Sequence, residues 1–268
     1  MLTDCGSCPA CRDTRAKPKG ASAHCVKCGT VWVPKRRGYI YDDAYPEGRG
    51  HAEEAIAHAK RVTLQLWLTR LTPPVAGKAI LEIGFGAGAT LNLVESLGAR
   101  AYGVEPVAAN RAHAIANGIE ADRVTAELSG FEGSAFDVVL YLDSFEHLLE
   151  PDEHLARISH MTKAGAEALV VLPISGSLSQ RLLGKWWPHD IDDHWVFYSR
   201  QGLIGLWDRH GWDCVQQFYP WKYLSSRTIF LHLKMKTGLE ASRLSGMDFG
   251  VWLNFGEAGL IFSRRGLA

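Results

Sequence analysis

The stretch Ala79-Ile80-Leu81-Glu82-Ile83-Gly84-Phe85-Gly86-Ala87-Gly88-Ala89-Thr90-Leu91 decides the fold. Its apolar start, Ala79–Ile83, has the character of a strand buried on both faces in a parallel sheet. Three glycines at alternate positions follow, and a helical pattern opens at Ala89. A strand feeding a helix through such a loop lets the backbone come close to a bound molecule. The helix start adds unpaired N–H groups and the positive end of a dipole. The same residues would also serve a tight turn that binds nothing, so the flanking residues carry the choice.

They admit two ligands. Gly84, Gly86 and Ala89 fit the G-x-G-x-x-A of dinucleotide-binding turns. Gly84, Gly86 and Gly88, with Glu82 in front, resemble motif I of class I S-adenosylmethionine (SAM)-dependent methyltransferases, E/D-x-G-x-G-x-G. A carboxylate beside the glycines suits a ligand carrying an ammonium and a sulfonium, and suits a pyrophosphate badly. Glu105 follows the next apolar run, Arg100–Val104. An acidic residue there, about 20 residues on, can bind both ribose hydroxyls through its two oxygens. SAM and NAD share that ribose, so Glu105 indicates a nucleoside without choosing between them. A merely solvated strand-end glutamate is the plain alternative.

The chain has 268 residues, enough for one large domain or one domain with a small appendage. Lys+Arg and Asp+Glu both number 29, so no global charge points to nucleic acid or to a membrane surface. No stretch is long and apolar enough to span a bilayer, and Met1–Ala10 lacks a secretory signal pattern. A cytoplasmic protein is the expectation. Five of the six cysteines lie in the first 28 residues, which in a reducing compartment suggests metal rather than disulfides.

Residues 1–38 read as a unit. Cys8-Pro9-Ala10-Cys11 and Cys25-Val26-Lys27-Cys28-Gly29 look like the two knuckles of a zinc ribbon, in which four thiolates surround one structural Zn²⁺. Arg12 stands where the second knuckle has Gly29. Cys5 and His24 are spare candidates for a ligand position. The ribbon's basic residues are too few and scattered to signal nucleic acid. Residues 39–78 read as a linker followed by a helix, His51 to about Leu71, with Ile56, Val62 and Leu66 on one face, stopped by Pro73-Pro74. In methyltransferases resembling this chain a tyrosine segment and a helix cover the cofactor, which makes Tyr45 and Tyr41 candidate contacts. Solvent-facing linker tyrosines are the alternative.

From Ala79 the pattern is βαβα. The third strand is expected at about Arg123–Ala126, followed by Glu127 and Leu128, which in the resembled family flank the adenine. Phe136–Leu142 is a fourth strand, and Asp143-Ser144-Phe145-Glu146-His147-Leu148-Leu149-Glu150-Pro151 resembles the D-x-x-E-H-x-x-x-P segment of small-molecule methyltransferases. Asp143 would then sit at the carboxyl end of a central strand, where ligands bind in open parallel sheets. His147 is either a base or a histidine that packs a loop. The resemblance covers residues 80–173 in order and spacing, and points to the broad group that includes ubiquinone-pathway O-methyltransferases.

After a fifth strand, Ala166–Leu172, comes Gly184–Ser199, with three tryptophans, His189, Asp192, Asp193 and His194. The family places substrate-facing loops here. The segment can form an aromatic wall with His189 and His194 as proton acceptors, or simply pack on the sheet. A cation site of His189, Asp192, Asp193 and His194 fits no standard spacing. Trp212–Tyr219 and Ala258–Phe262 read as the last two strands. Between them, residues 220–253 form an insertion whose Tyr223–Met235 part has amphipathic-helix character, suited to a lid, an oligomer contact or a membrane-facing patch.

These readings converge on a doubly wound α/β fold: a seven-stranded Rossmann-like methyltransferase sheet at 79–268 with a small N-terminal zinc ribbon. The resemblance implies strand order 3-2-1-4-5-7-6, the seventh antiparallel. It implies transfer of the SAM methyl group to an O, N or C nucleophile of a small-molecule acceptor. Gly84, Gly86, Gly88 and Glu82 would hold the amino-acid end of the cofactor. His147, His189 and His194 are the candidate bases. A nicotinamide oxidoreductase and a non-catalytic zinc-ribbon adaptor are the alternatives. The first would need a substrate domain for which little chain is left, and the intact glycines and Glu105 argue against the second.

Overall fold

The computed structural model describes residues 6–34, 50–72, 75–190, 194–226 and 249–266, with only the backbone of residues 50–57 and Lys185. Three short strands come first: β1 (Ala16–Lys19), β2 (Ser22–Cys25) and β3 (Val31–Trp32). Helix α1 (Gly50–Leu68) precedes β4 (Ala79–Ile83), α2 (Ala89–Ser96), β5 (Arg100–Val104), α3 (Ala108–Ala116) and β6 (Val124–Thr125). Then come β7 (Phe136–Leu142), α4 (Pro151–His160), β8 (Thr162–Pro173), α5 (Leu178–Leu183), β9 (Val196–Phe197) and α6 (Arg200–Arg209). The chain continues through β10 (Trp212–Phe218), β11 (Lys222–Ser225), β12 (Gly250–Leu253) and β13 (Glu257–Arg264).

The central sheet runs β10-β13-β8-β7-β4-β5-β6. β4 through β8 are parallel, and β13 is antiparallel to both neighbours. This is the expected order 3-2-1-4-5-7-6, read from the opposite edge. All five residues of β4 are buried, as an apolar run covered on both faces must be. β4 leads to β5 on one side and lies against β7 on the other. The strand order therefore reverses between β4 and β7, and that switch opens a crevice at their carboxyl ends. Gly84 and Asp143 stand at those two ends.

Alternate residues of each strand feed two cores, one on each face. Leu81, Val139, Tyr141 and Val170 meet Trp207 of α6 and Phe262 on one face. Ile80, Val138, Leu140 and Leu169 meet Leu64, Trp67 and Leu68 of α1 on the other. The buried stripe of the described part of α1 is thus Ala59, Thr63, Leu64, Trp67 and Leu68; of the expected face, Val62 is half-buried and the side chain of Ile56 lies outside the described residues. Leu66 is exposed. Both stripes have helical spacing, and docking on the sheet selects the one that contains the large Trp67.

Two further expectations change. β6 is only two residues long. Tyr223 does not open an amphipathic helix: Lys222–Ser225 pairs antiparallel with Gly250–Leu253, because cross-strand partners such as Tyr223 and Trp252, with rings 5.4 Å apart, stabilise a hairpin. The hairpin packs on α1, with Tyr223 N–H donating to Thr63 Oγ1 at 2.9 Å. The rest of that expected helix, 227–248, lies outside the described residues.

The ribbon strands do not stand apart. Their sheet runs β1-β2-β3-β9, so its last strand is supplied by the segment that follows β8. Val31 and Trp32 pair with Phe197 and Val196.

Trp207 is the best measure of the core. It is fully buried, stacks on Phe262 at 4.4 Å and meets Tyr141 and Trp212 edge-on. Trp207→Ala is expected to lower stability by about 3–5 kcal/mol. Urea denaturation measures this, and an unchanged midpoint would contradict the packing described.

Candidate functional site

The crevice begins at the loop after β4. Gly84, Gly86 and Gly88 all have left-handed φ, at 74°, 56° and 81°, which only glycine adopts without strain. A Cβ on Gly84 would meet Ser144 Cβ at 2.9 Å, and one on Gly88 would meet Ala114 Cβ at 3.1 Å. At Gly86 nothing lies within 4 Å. Gly84 and Gly88 are therefore closed by packing, and Gly86 faces open space.

Two glutamates frame the loop. Glu105 is buried, with Oε2 accepting from Gly86 N–H at 2.9 Å and Oε1 from Val107 N–H at 3.0 Å. Glu82 is almost fully buried, and its Oε2 has no hydrogen-bond partner among the described residues. Burial raises the Glu82 carboxyl to about 7, against the opposing pull of the Lys60 charge on α1. A buried carboxylate oxygen with no donor beside an open loop fits a ligand that brings its own cation.

The other expected cofactor residues divide. Asp143 follows β7 at φ 54° and accepts from Lys222 Nζ at 2.7 Å. Glu127 is exposed at the end of β6. Leu128 is buried in the core with Phe131. Tyr45 and Tyr41 lie outside the described residues.

Three histidines converge on the far side of Asp143. His189 meets Glu257 Oε1 through Nε2 at 3.0 Å, and Glu257 Oε1 also pairs with Lys222 Nζ at 3.0 Å. Lys222 thus bridges Asp143 and Glu257. Burial works against charge on both, yet the pairing prevails: Asp143 and Glu257 hold the Lys222 ammonium above its ordinary range, and Lys222 and His189 hold Glu257 down to about 2. An ionised carboxylate only accepts, so Glu257 places the His189 proton on Nε2 and leaves Nδ1 as the basic atom of the neutral ring. His194 Nδ1 lies 2.8 Å from the His189 carbonyl oxygen. That oxygen accepts, so Nδ1 carries the proton, and Nε2 points toward Glu146 Oε1 at 3.7 Å. The His147 ring stands edge-on to His194 with centroids 4.8 Å apart. One ligand atom each from Glu146, His147 and His194 lies within 4.8 Å of the others, an arrangement that can share a proton or hold a cation. Asp192 and Asp193 lie outside the described residues.

Sequence reading missed Lys222 and Glu257. Glu257 carries one signal: it is an acidic residue opening an otherwise apolar strand. Lys222 carries none, sitting between Trp221 and Tyr223. The expected aromatic wall also divides. Trp187 and Trp195 are buried, Trp187 with Nε1–H donating to the Phe255 carbonyl, whereas Trp186 is exposed.

In the ribbon, Cys8, Cys11, Cys25 and Cys28 converge, with all four sulfurs within 4.8 Å. Cys8 and Cys28 Sγ are 3.7 Å apart, Cys11 and Cys25 Sγ 3.5 Å. A tetrahedron of sulfurs at about 2.3 Å from zinc has edges of about 3.8 Å, close to these two separations, so the set is compatible with Zn²⁺. The hydrogen bond between Cys8 and Cys28 draws the Cys28 thiol down and pushes that of Cys8 up, so the pair gives up one proton readily and a metal would have to displace the other. Arg12 takes the left-handed turn, φ 59°, that Gly29 takes at 78° in the second knuckle. Its N–H donates to the Cys8 carbonyl as that of Gly29 does to Cys25. His24 is not among the convergent ligands, and Cys5 lies outside the described residues.

The methyltransferase domain family matches residues 55–217. The ubiquinone biosynthesis O-methyltransferase of Ruegeria sp. (strain TM1040) is 36% identical over 169 residues, covering 56% of this chain and 68% of that protein. The protein of the same name from Roseobacter denitrificans is 35% identical over 162 residues, covering 54% and 63%. A SAM-dependent methyltransferase from Archaeoglobus fulgidus superposes with TM-score 0.54 at 17% identity, over 80% of this chain and 98% of that one. Magnesium protoporphyrin IX methyltransferase from Synechocystis PCC 6803, solved with bound S-adenosylhomocysteine, superposes with TM-score 0.51 at 13% identity, over 83% and 91%. These two likenesses concern the fold, while the family match spans more than half the sequence and includes the glycine loop, Glu105 and the Asp143–Pro151 segment. The chain therefore belongs to the methyltransferase domain family and is a class I SAM-dependent methyltransferase.

Proposed function

We propose that the chain moves the SAM methyl group to an O, N or C nucleophile of a small-molecule acceptor lying between the glycine loop and His189. The observation that carries this is the pairing of two sites across Asp143. On one side are an open loop at Gly86 and a buried, donor-less Glu82 oxygen. On the other is an imidazole fixed by an ionised carboxylate.

In this reading Glu82 receives the ammonium of the cofactor's amino-acid end, beside Gly84, Gly86 and Gly88. Glu105 receives the ribose hydroxyls on the lone pairs that Gly86 and Val107 leave over. Glu127 and Leu128 lie toward the adenine. The bound cofactor supplies an activated methyl group, so the chain's main task is to align the acceptor. Where the acceptor must lose a proton, His189 Nδ1 takes it, and Glu257 stabilises the imidazolium through Nε2–H. His194 and His147 are the next basic groups along the same wall. Asp143 fixes Lys222, and Lys222 keeps Glu257 ionised.

Zinc in the ribbon belongs to the same proposal. Purified without chelator, the protein is expected to hold about one zinc per chain, and Cys25→Ser or Cys28→Ser to lose it. Elemental analysis checks this, and protein free of zinc would overturn the ligand assignment.

Calorimetry with S-adenosylhomocysteine tests the cofactor half. Heat with this ligand and none with NAD is expected, and Gly86→Asp should abolish it by filling the open space with a charged side chain. The pH dependence is specific. At about 7, the folded value of Glu82 lies above the ordinary carboxylate value of 4.5. The folded chain then keeps a proton that the unfolded chain releases, and stability falls as pH rises from about 4.5 to 7. A ligand ammonium favours the carboxylate, so binding should expel that proton and be about tenfold weaker at pH 6 than at pH 8. Glu82→Gln should flatten the profile. A pH-independent affinity in the parent protein would remove Glu82 from the ammonium role.

A further inference from the structure

The segment that carries His189 and His194 is held at its downstream end by the ribbon. Val33 N–H donates to the Trp195 carbonyl at 3.0 Å, and β3 pairs with β9 directly after it. Ser175 Oγ–H donates to the Gly29 carbonyl at 2.8 Å, across the bridge between Ile174 and Tyr198. Ser199 Oγ–H donates to the Cys28 carbonyl. One ribbon side chain joins these contacts to the thiol cluster. Thr30 is fully buried, and its Oγ1 accepts from Ser199 N–H at 3.2 Å and lies 3.3 Å from Cys28 Sγ. When Cys28 is a thiolate, the Thr30 hydroxyl donates to sulfur while its lone pair accepts from Ser199, so one group satisfies both partners. The fit is closed on the other side as well: a Cβ on Gly202 would meet Thr30 Oγ1 at 2.5 Å and Ala10 Cβ at 3.1 Å.

We propose that the ribbon is part of the acceptor side of the enzyme: Thr30 is a positioning residue that links the Cys28 knuckle to Ser199, and through β3–β9 the ribbon sets where His194 and His189 stand. The catalytic half of this statement rests on the acceptor reading given above, whereas the mechanical half does not. Among the described residues the ribbon's polar contacts run to residues 174–175 and 195–202, to Asp152 through Arg12 and to Arg209 through the Ala10 carbonyl, and none of these runs to the glycine loop or to Glu105. The coupling should therefore reach the acceptor face and spare the cofactor loop.

The test uses zinc-loaded full-length protein and its Thr30→Val variant, which keeps the shape of the side chain and removes the hydroxyl. Amide hydrogen exchange, ring nitrogen resonances of His189 and His194, zinc content and S-adenosylhomocysteine affinity are measured together. Exchange at residues 194–199 should rise about tenfold, as for the loss of a buried hydrogen bond. The two imidazole signals should shift or broaden, zinc should stay at one per chain and the affinity should stay within about twofold. Thr30→Ser, which restores the hydroxyl, should restore protection. Unchanged exchange at 194–199, or a rise confined to ribbon residues 8–32, would overturn the proposal. Should Thr30→Val fail to fold or to hold zinc, stripping the parent protein with a chelator answers the same question. Faster exchange at 194–199 with residues 82–105 unaffected supports the coupling, and retained protection at 194–199 overturns it. Once an acceptor is in hand, a Thr30→Val variant whose imidazoles move while turnover stays normal would spare the coupling and strike the acceptor reading instead.

Discussion

Two backbone N–H groups share one buried carboxylate, one on each oxygen, and on that interaction the crevice depends. Glu105 holds Gly86 with one oxygen and Val107 with the other, tying the turn after β4 to the start of the second βα unit. The turn has no other lock of this kind. α2 begins at left-handed Gly88 with no side-chain cap; Gly84 and Gly88 N–H donate to the Val104 and Phe85 carbonyls, and the N–H of Gly86 between them is held by Glu105. Charge-assisted bonds to backbone donors are among the stronger ones available to a protein. The loop is thus set before any ligand arrives, and preorganisation lowers the cost of binding.

A second consequence is electrostatic. Two buried glutamates stand at the two ends of the crevice and are pushed in opposite directions. Glu82 rises to about 7 because its burial outweighs the opposing pull of Lys60 and Thr90. Glu257 falls to about 2 because Lys222 and His189 outweigh its burial. Residues of one type with environments that force them apart mark a division of labour. Glu82 has a buried oxygen with no donor among the described residues, and Glu257 keeps its charge to orient an imidazole.

The sheet order, the glycine loop, Glu105 and the Asp143 segment were legible in the sequence because each is a local pattern at fixed spacing. The four thiols were legible for the same reason, and even Arg12 in a glycine position proved compatible with the knuckle. Lys222 and Glu257 were not legible. They meet Asp143 and His189 only because the β11–β12 hairpin lies back over α1 and β13 returns beside β8, and no spacing in the chain encodes that. The two-residue strand β9 carries no signal, since its pairing partner is β3, more than 160 residues earlier. The tryptophans of the 184–198 segment read as one wall by composition. Their burial, inward for Trp187 and Trp195 and outward for Trp186, was decided by what each could reach.

That segment is held at several separate points. It is anchored by the Trp187 bond to Phe255, by His189 on Glu257, by the His194 bond to the His189 carbonyl, and by β9 on the ribbon. Each anchor lies on an element other than the β4 and β5 ends that frame the glycine loop. Substitutions between the anchors should leave the glycine turn undisturbed, since sites distant in contact add nearly independently. An anchor cannot be changed so freely. Losing one buried charged partner, such as Lys222 from Glu257, leaves the other charge uncompensated at a cost larger than the pair contributes. The arrangement therefore separates two demands: a turn fixed by backbone and glycines, and a histidine-bearing segment fixed by a few long-range polar anchors.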